Sequence, residues 1–327
     1  MTAIMTDVPA TAGAPQEETT VAEPSGEVAD GTPEQAKPTQ TLFSAGTKLT
    51  MRDATALLRC RSCNVIAIVG PYDAGKTSLV ASLYDLFQIG PIQSAEFMAS
   101  QTLHALEMAS HHSRIASGRA KPDSERTPVG KAGFYHLDIV PYQQANVVTL
   151  LLGDRAGEDY RSAGDEVDLA GEFPELSRAD VITLLADGER LVDLETRHNV
   201  PTQIEGMLRA FIEAGVTATT QSVAVVLTKL DAVNGSDQVK TVHAHFDALL
   251  ERLRTRYGQY FAAVEPFEVA AAPRVEGVPR GTGMADLLTF WLSKPLVRPT
   301  PVGTSWNPDL PTRAIGRISI LPAVQEE

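Results

Sequence analysis

The sequence predicts a three-layer α/β fold, in which helices cover both faces of a mostly parallel sheet. Short apolar runs alternate along the chain with longer segments whose apolar residues recur every three or four positions. The runs are continuously apolar, which is typical of strands that are covered on both faces. Such strands, alternating with amphipathic helices, indicate a parallel sheet whose crossovers are helical.

The folded domain is expected over residues 46–295, between two segments of different composition. Residues 1–45 contain seven acidic residues against the single base Lys37 and almost no large apolar residues. Such a segment cannot bury enough surface to offset its ordering entropy, so it is predicted to be a disordered acidic arm. Residues 296–327 are punctuated by prolines and are predicted to be a C-terminal tail.

Within the domain, six apolar runs are predicted as strands: NVIAIV, FYHLDIV, NVVTLLLGD, DVITLLADG, SVAVVLTKLD and PFEVAAA. Apolar stripes at helical spacing predict core-facing helices over residues 204–212, 242–257 and 284–292. A helix-favouring segment from Ser94 and the polar loop that follows it predict a helical insertion over about 94–133. Cys60 and Cys63 have no second pair of cysteines, which favours two reduced thiols over a structural zinc site.

The bulk composition limits the partners. The formal net charge is −13, which argues against binding of nucleic acid or of an anionic membrane surface. No apolar run approaches the roughly 20 residues that span a bilayer, and the N-terminus has no apolar signal core. A cytoplasmic protein with no membrane span and no nucleic-acid partner is therefore expected.

The first candidate motif follows the first strand. Residues 70–77, GPYDAGKT, fit the phosphate-loop pattern G-x-x-x-x-G-K-[ST]. Glycines let the backbone turn its N–H groups towards phosphate oxygens, and a helix beginning here points its positive end at them. Lys76 is expected to bridge the β- and γ-phosphates, and Thr77 to ligate Mg²⁺. The context supports the motif, because a strand precedes it and a helix with Leu79 and Leu83 on one face follows.

A second motif, D-x-x-G, follows the strand that ends at Asp154. In this pattern the aspartate supports Mg²⁺ and the glycine, here Gly157, senses the γ-phosphate through its N–H. The pattern is weak alone, but its place at a strand end downstream of a phosphate loop strengthens it.

The third motif, TKLD at residues 228–231, fits [NT]-K-x-D at a strand end. The Asp231 carboxylate can accept both guanine N1–H and the 2-amino group, a donor pair that adenine lacks. The stem of Lys229 can lie over the base. An unpaired partner is costly, so this contact discriminates between bases. The alternative is a charged turn that caps the strand. Further on, the backbone N–H near Ala271 is expected to meet guanine O6.

These three motifs and the strand end near Ala271, in this order and each at a strand end, resemble the GTPase division of the P-loop NTPase fold, the Ras-like and translation-factor-like superclass. The resemblance covers residues 64–295. Within that superclass, GPYDAGKTSLVASLYDLF, the long insertion and GDRAGEDYRS look like the bacterial double-GTPase families of predicted conflict systems. The resemblance implies a GTPase-type fold with GTP or GDP and Mg²⁺ as cofactors.

The resemblance also implies roles for the switch segments. A threonine of the first switch loop would complete the Mg²⁺ shell, and Thr127 is the candidate, with Ser124 as the alternative. Arg126 would neutralise transition-state charge, or else be a solvated loop residue. Glu158 occupies the place where Ras-like proteins have a water-orienting glutamine, so intrinsic hydrolysis is expected to be slow or organised differently. Residues 157–175 hold seven acids and are predicted to be a solvated switch loop, with docking of a basic partner as the alternative.

The predicted function is Mg²⁺-dependent binding and hydrolysis of GTP, with a switch that signals to a protein effector or activator; a second GTPase is one candidate partner. An ATPase of the P-loop class and a nucleotide-bound scaffold with negligible turnover are the alternatives. The predicted catalytic residues are Lys76, Arg126, Thr127 and Glu158, and the predicted metal ligands are Thr77, Thr127 and Asp154. The residues predicted to bind the nucleotide are Gly70, Tyr72, Asp73, Ala74, Gly75, Lys76, Thr77, Ser78, Gly157, Thr228, Lys229, Asp231 and Ala271.

Overall fold

A seven-stranded sheet lies at the centre of the fold. The computed structural model describes residues 47–114, 129–142, 146–274 and 277–293. The strands are β1 Cys63–Val69, β2 Ala95–Ala99, β3 Gly133–Pro141, β4 Val148–Asp154, β5 Val181–Asp187, β6 Ser222–Thr228 and β7 Ala263–Glu268. Their order in the sheet is β2-β3-β4-β1-β5-β6-β7. Strands β4, β1, β5, β6 and β7 are parallel, whereas β2 and β3 form an antiparallel edge. The predicted mostly parallel sheet is confirmed.

Helices cover both faces of this sheet. On β1, alternate side chains divide between the faces, as the two-residue period of a strand requires. Ala67 and Val69 pack in one core, whereas Ile66 and Ile68 pack in the other. The predicted three layers are therefore confirmed. The helices are α1 Met51–Cys60, α2 Lys76–Ile89, α3 Leu103–Ser113, α4 Gly157–Asp165, α5 Val167–Ala170, α6 Pro174–Arg178, α7 Gly188–Val192, α8 Asn199–Glu213, α9 Leu230–Asn234, α10 Val239–Tyr257 and α11 Met284–Leu292.

The three predicted apolar stripes lie on α8, α10 and α11, and their central residues are buried. Helices α8 and α10 pack in the core that contains Ala67, and α11 packs in the opposite core with α2 and α3. Trp291 of α11 is fully buried, and its Nε1 donates to Thr183 Oγ1 of β5 at 3.0 Å. Burying a leucine or phenylalanine of these stripes stabilises the fold by about 1.5–3 kcal/mol.

The segment predicted as a helical insertion begins instead with a strand. β2 pairs antiparallel with β3, and Phe97 lies opposite Ile139. The Phe97 ring also packs 6.2 Å from the ring of Tyr84 and 6.1 Å from that of Phe87, both on α2. These long-range contacts override the local helix preference, which is a weak determinant beside packing. Among the described residues of this segment, the helix prediction is correct only for α3, at Leu103–Ser113.

Residues 47–62, before β1, have no element predicted from the sequence, yet two local sets of contacts fix them. Leu49 exchanges a pair of 2.9 Å backbone hydrogen bonds with Phe134 of β3. Thr50 then caps α1 in a capping box with Asp53, in which each side chain accepts from the other's backbone N–H. Cys60 is exposed at the end of α1 and Cys63 is buried at the start of β1, and the two are not joined by a disulfide.

Candidate functional site

The carboxyl ends of the parallel strands meet at one edge of the sheet, and each predicted site residue that is described lies at or after one of these ends. The register places Asp187 at the end of β5 beside Thr228 at the end of β6. In open α/β sheets, ligands bind outside this edge. The phosphate-loop, D-x-x-G and TKLD segments are therefore neighbours in space, as their predicted strand positions require.

The loop between β1 and α2 has the backbone of an anion-binding loop. Gly75, the N-cap of α2, has φ of +95°, a conformation that favours glycine. Asp73 also has a positive φ, of 62°. The side chains of Tyr72 and Asp73 are exposed, while Thr77 and Ser78 are half-buried in the first turn of α2. A helix that begins at such a loop presents free N–H groups and a positive dipole end to an anion.

Lys76 lies inside this loop. Its side chain is buried, and its Nζ donates to the carbonyl oxygens of Gly70 at 2.9 Å and Pro71 at 3.0 Å. Burial lowers the pKa of Lys76, although the carboxylates of Asp154 and Glu158 oppose this effect. The lysine ammonium is thus held at the centre of the loop, with two acids from the D-x-x-G segment in its field.

Asp154 ends β4 with a buried side chain, only 2% exposed, and already binds a cation. The ammonium of Lys48 donates to its Oδ2 at 2.5 Å. Burial alone would lower the pKa of Lys48, but the attraction of Asp154 and Tyr135 raises it to about 12. The sequence held no signal for Lys48, which lies in a segment without a motif.

The residues present fit Mg²⁺ bound together with a nucleotide. The described residues contain no cluster of three or more His, Cys, Asp or Glu side chains that could hold a metal. Mg²⁺ usually needs only one or two carboxylates, with substrate phosphates and water completing its shell. The Asp154 carboxylate and the Thr77 hydroxyl provide that minimal set of oxygen donors. In this structure the Lys48 ammonium occupies the position on Asp154 that a metal cation would take.

Gly157 packs directly against the phosphate loop. A Cβ at this position would lie 2.3 Å from the Tyr72 backbone nitrogen, 2.5 Å from the Pro71 carbonyl carbon and 2.8 Å from Lys76 Nζ. Two of these neighbours are backbone atoms, which cannot move aside like the end of a side chain. The glycine of D-x-x-G is therefore required by the close approach of two backbones at the loop that surrounds Lys76.

Residues 157–175 are not the solvated loop that their acidity predicted. They form α4, α5 and the start of α6, with Tyr160 and Phe173 buried against α8. Glu175 is buried in a bidentate ion pair with Arg155, whose guanidinium also lies 4.2 Å from the centroid of the Phe173 ring. The prediction was wrong because the apolar side chains that order these helices are spaced among acids, most of which face solvent.

The TKLD turn is tied to the phosphate loop and to the loop after β7. Thr228 Oγ1 donates to Ala74 O at 2.9 Å. Asp231 is buried, and its Oδ2 accepts from the Arg274 backbone N–H at 2.8 Å. Leu230 N donates to Val269 O at 3.2 Å. These contacts hold the carboxylate in place at the edge of the site.

The last predicted strand ends earlier than expected. β7 ends at Glu268, and Ala270 then forms a bridge with Thr282. Ala271, predicted to meet guanine O6, therefore lies in the loop between Val269 and Arg274, the two residues that contact the TKLD turn.

Lys229 is surrounded by three acids, of which only Asp73 was among the predicted site residues. Its Nζ donates to Asp73 at 3.3 Å, Asp187 at 3.0 Å and Glu189 at 2.9 Å. Burial alone would lower the pKa of Lys229, but these carboxylates outweigh it and raise that pKa. Asp187 could have been found from the sequence, because it ends an apolar strand at the same sheet edge. Arg274, which pairs with Glu189 at 3.3 Å, follows no such pattern.

Three predicted residues, Arg126, Thr127 and its alternative Ser124, lie outside the described residues. Glu158 is described and is exposed on the first turn of α4. No helix within the described ranges is both long and apolar enough to cross a membrane.

Comparisons with known proteins identify one family. The sequence model of a family described as Double-GTPase 2 matches residues 64–292, which is more than half of the chain. A search of curated proteins finds no match.

Two solved structures are among those similar to this chain. One is the signal recognition particle receptor SRb-GTP/SRX complex from Chaetomium thermophilum, with 14% identity and a TM-score of 0.38, covering 70% of this chain and 95% of the other. The other is the S. cerevisiae Ski7 GTPase-like domain, bound to GDP and inorganic phosphate, with 12% identity and a TM-score of 0.41. That match covers 74% of this chain and 52% of the other, so this chain spans about half of the length of that one.

Proposed function

Because the chain belongs to the Double-GTPase 2 family, we propose that this GTP-binding protein hydrolyses GTP with Mg²⁺ and changes its switch segments between nucleotide states. The observation that supports this best is the packing of Gly157 onto the backbone of Tyr72 and Pro71. A segment in such close contact with the phosphate loop would respond when a terminal phosphate binds there or leaves.

The phosphate side of the proposed site depends on the backbone N–H groups of Gly70 and of residues 72–78, and on the Lys76 side chain. The Lys76 ammonium would exchange its two loop carbonyls for β- and γ-phosphate oxygens, a stronger charge-assisted contact. Thr77 and Asp154 would hold Mg²⁺, with Thr127 as a further ligand. When bound, Mg²⁺ neutralises charge on the phosphate oxygens.

The base side depends on Asp231, which is positioned by the Arg274 N–H and would accept the two guanine donors. The stem of Lys229 would lie over the base while Asp73, Asp187 and Glu189 hold its ammonium. The N–H of Ala271 would donate to guanine O6. Thr228 acts by joining this turn to the phosphate loop.

Turnover would be slow without an activator. Glu158 is exposed and lies close enough to Lys76 to act on its charge. A carboxylate near the terminal phosphate repels it, so Glu158 also favours a second candidate function, a nucleotide-bound scaffold with negligible turnover. Arg126 would supply positive charge in the transition state. The switch would signal in the cytoplasm to a protein effector or activator, for which a second GTPase is one candidate.

Replacing Asp231 with asparagine tests the base assignment. The new amide puts a donor opposite a guanine donor, whereas xanthine has an oxygen there that can accept from it. At about 1–3 kcal/mol per unpaired buried group, GTP affinity should fall about 5- to 150-fold and xanthosine triphosphate should bind more tightly. Competition against a fluorescent guanine nucleotide measures both, and ATP should compete poorly with either protein.

The matched control is Asp237→Asn, the same change at an exposed position after α9. It should leave the order of nucleotide affinities unchanged. If Asp231→Asn binds GTP as the parent does, Asp231 does not read the base. Phosphate release with and without cell lysate then separates an activated GTPase from the scaffold.

A further inference from the structure

The contact of Lys48 with Asp154 joins the proposed metal site to a segment outside every motif. Lys48 is directly followed by Leu49, which is fixed to Phe134 by two backbone hydrogen bonds, and by the Thr50 cap of α1. The ammonium therefore reaches Asp154 from a backbone that is anchored on both the sheet and a helix. The position of the ammonium is therefore set by the fold of the backbone around Lys48.

Two further contacts favour this position. The Lys48 ammonium lies 4.9 Å from the centroid of the Tyr135 ring, a distance at which a cation is attracted to the face of an aromatic ring. Its side chain is 27% exposed, while that of Asp154 is 2% exposed. The pair is thus shielded on the Asp154 side, but Lys48 keeps a route to solvent.

Asp154 is also the carboxylate proposed to support Mg²⁺. Two positive side chains act on it, since Lys76 lies within its field as well. A divalent cation placed near Asp154 would meet the Lys48 ammonium as a like charge at short range, where repulsion is strong away from bulk water. Mg²⁺ and Lys48 therefore compete for one anionic group.

We propose that Lys48 is an internal competitor of Mg²⁺, which leaves Asp154 for solvent when Mg²⁺ and nucleotide bind and so sets the Mg²⁺ concentration at which nucleotide is held tightly. This inference rests on the proposed Mg²⁺-dependent nucleotide binding. It assigns to Lys48 a role that acts through Asp154 and not through direct contact with the nucleotide.

The first test is a Mg²⁺ titration of the affinity for a fluorescent GDP analogue. Lys48→Met keeps an apolar stem and removes the charge, so its half-saturating Mg²⁺ concentration should fall about fivefold, the upper range for a partly exposed ion pair. Lys48→Arg keeps the charge and should titrate like the parent. Lys240→Met, the same change at an exposed position on α10, is the matched control and should also be unchanged.

The direction of the shift separates this role from structural support. If Lys48 only stabilises the fold, Lys48→Met should lower the affinity for GDP at every Mg²⁺ concentration, and its half-saturating Mg²⁺ concentration should stay the same or rise. That result overturns the proposal. A parent protein whose GDP affinity ignores Mg²⁺ contradicts the proposed function itself. A parent that responds to Mg²⁺ beside an unshifted Lys48→Met contradicts the Lys48 proposal alone.

A second measurement needs no variant. Reductive methylation of the parent protein, read by mass spectrometry, compares the Lys48 amine with the exposed Lys240 amine. Adding Mg²⁺ and GDP together should speed methylation of Lys48 several-fold relative to Lys240, because the ion pair to Asp154 is released. An equal or slower rate at Lys48 means that the ammonium stays on Asp154 and overturns the proposal.

Discussion

Gly157→Ala is the substitution for which the structure gives the clearest magnitude. Its Cβ would lie 2.3 Å from the Tyr72 nitrogen, whereas ordinary contact begins at 3.4 Å. The start of α4 and the phosphate loop must therefore separate by about 1 Å, and a misplacement of this size can reduce a reaction rate about 100-fold. The change adds one methyl group and no charge, so its effect reports on the packing itself.

The assay is single-turnover release of phosphate from GTP, with GDP affinity measured in parallel. Hydrolysis should fall about 100-fold, while GDP affinity should change much less, because the D-x-x-G glycine is proposed to respond to the terminal phosphate. Gly164→Ala is the matched control on the same helix. Its Cβ would be 3.6 Å from Met207 Cγ, an ordinary contact, so the rate should stay near that of the parent.

Two results would refute this reasoning. Parental hydrolysis in Gly157→Ala would mean that the loop accommodates the methyl group or that its contact with Gly157 has no part in turnover. Equal losses in Gly157→Ala and Gly164→Ala would show a general sensitivity of α4 instead of a specific contact.

Three further predictions concern single side chains. Lys76→Ala should weaken GTP at least about 100-fold, or about 2.7 kcal/mol, with an unchanged circular dichroism spectrum; unchanged affinity would remove Lys76 from the site. Glu158→Gln should raise intrinsic hydrolysis several-fold by removing a negative charge, and a fall would show that the carboxylate orients water. Burial lowers the pKa of His136, against the attraction of Asp138 and with the repulsion of Arg61. The contribution of neutral His136 to the free energy of unfolding is therefore fully present above about pH 6.5. It is lost as the pH falls towards the lowered pKa, by at most about 1.4 kcal/mol per pH unit. Urea unfolding across that range should show the slope, and His136→Gln should flatten it if His136 is its source.

The parts of the fold that the sequence predicted correctly are those in which local pattern and tertiary position agree. Strands β1, β4, β5 and β6 are buried along their whole length, so most of their residues are apolar and form runs that the sequence alone reveals. β2 has only one buried residue, Ala95, and its strand form depends on pairing with β3. That information is not local, so a helix was predicted there.

The same distinction explains the helices over residues 157–175. Tyr160, Ala163, Ala170 and Phe173 are buried in the core, but acids stand between them along residues 157–175. The acids dominate the composition of residues 157–175, so the helical spacing of the apolar residues was not recognised from the sequence. It is recognised only when these residues are seen to pack against α8. Glu175 was predicted to be solvated, but it is buried in an ion pair with Arg155. This partner lies twenty residues away in the sequence and comes near only in the folded chain.

In the site, the residues that lie at strand ends were predicted from the sequence. The residues that come from other segments of the chain were not. Lys76, Asp154 and Asp231 each belong to a motif with fixed spacing from a strand, so the parallel sheet alone brings them together. Lys48 and Arg274 approach the same edge from the segment before α1 and the loop after β7, where no spacing rule applies. Both act on a motif carboxylate, Lys48 by its ammonium and Arg274 by its backbone N–H. We propose that these two carboxylates support the metal and read the base, and each has a partner that a motif search cannot find. These partners are positions at which this protein can differ from other chains with the same motifs.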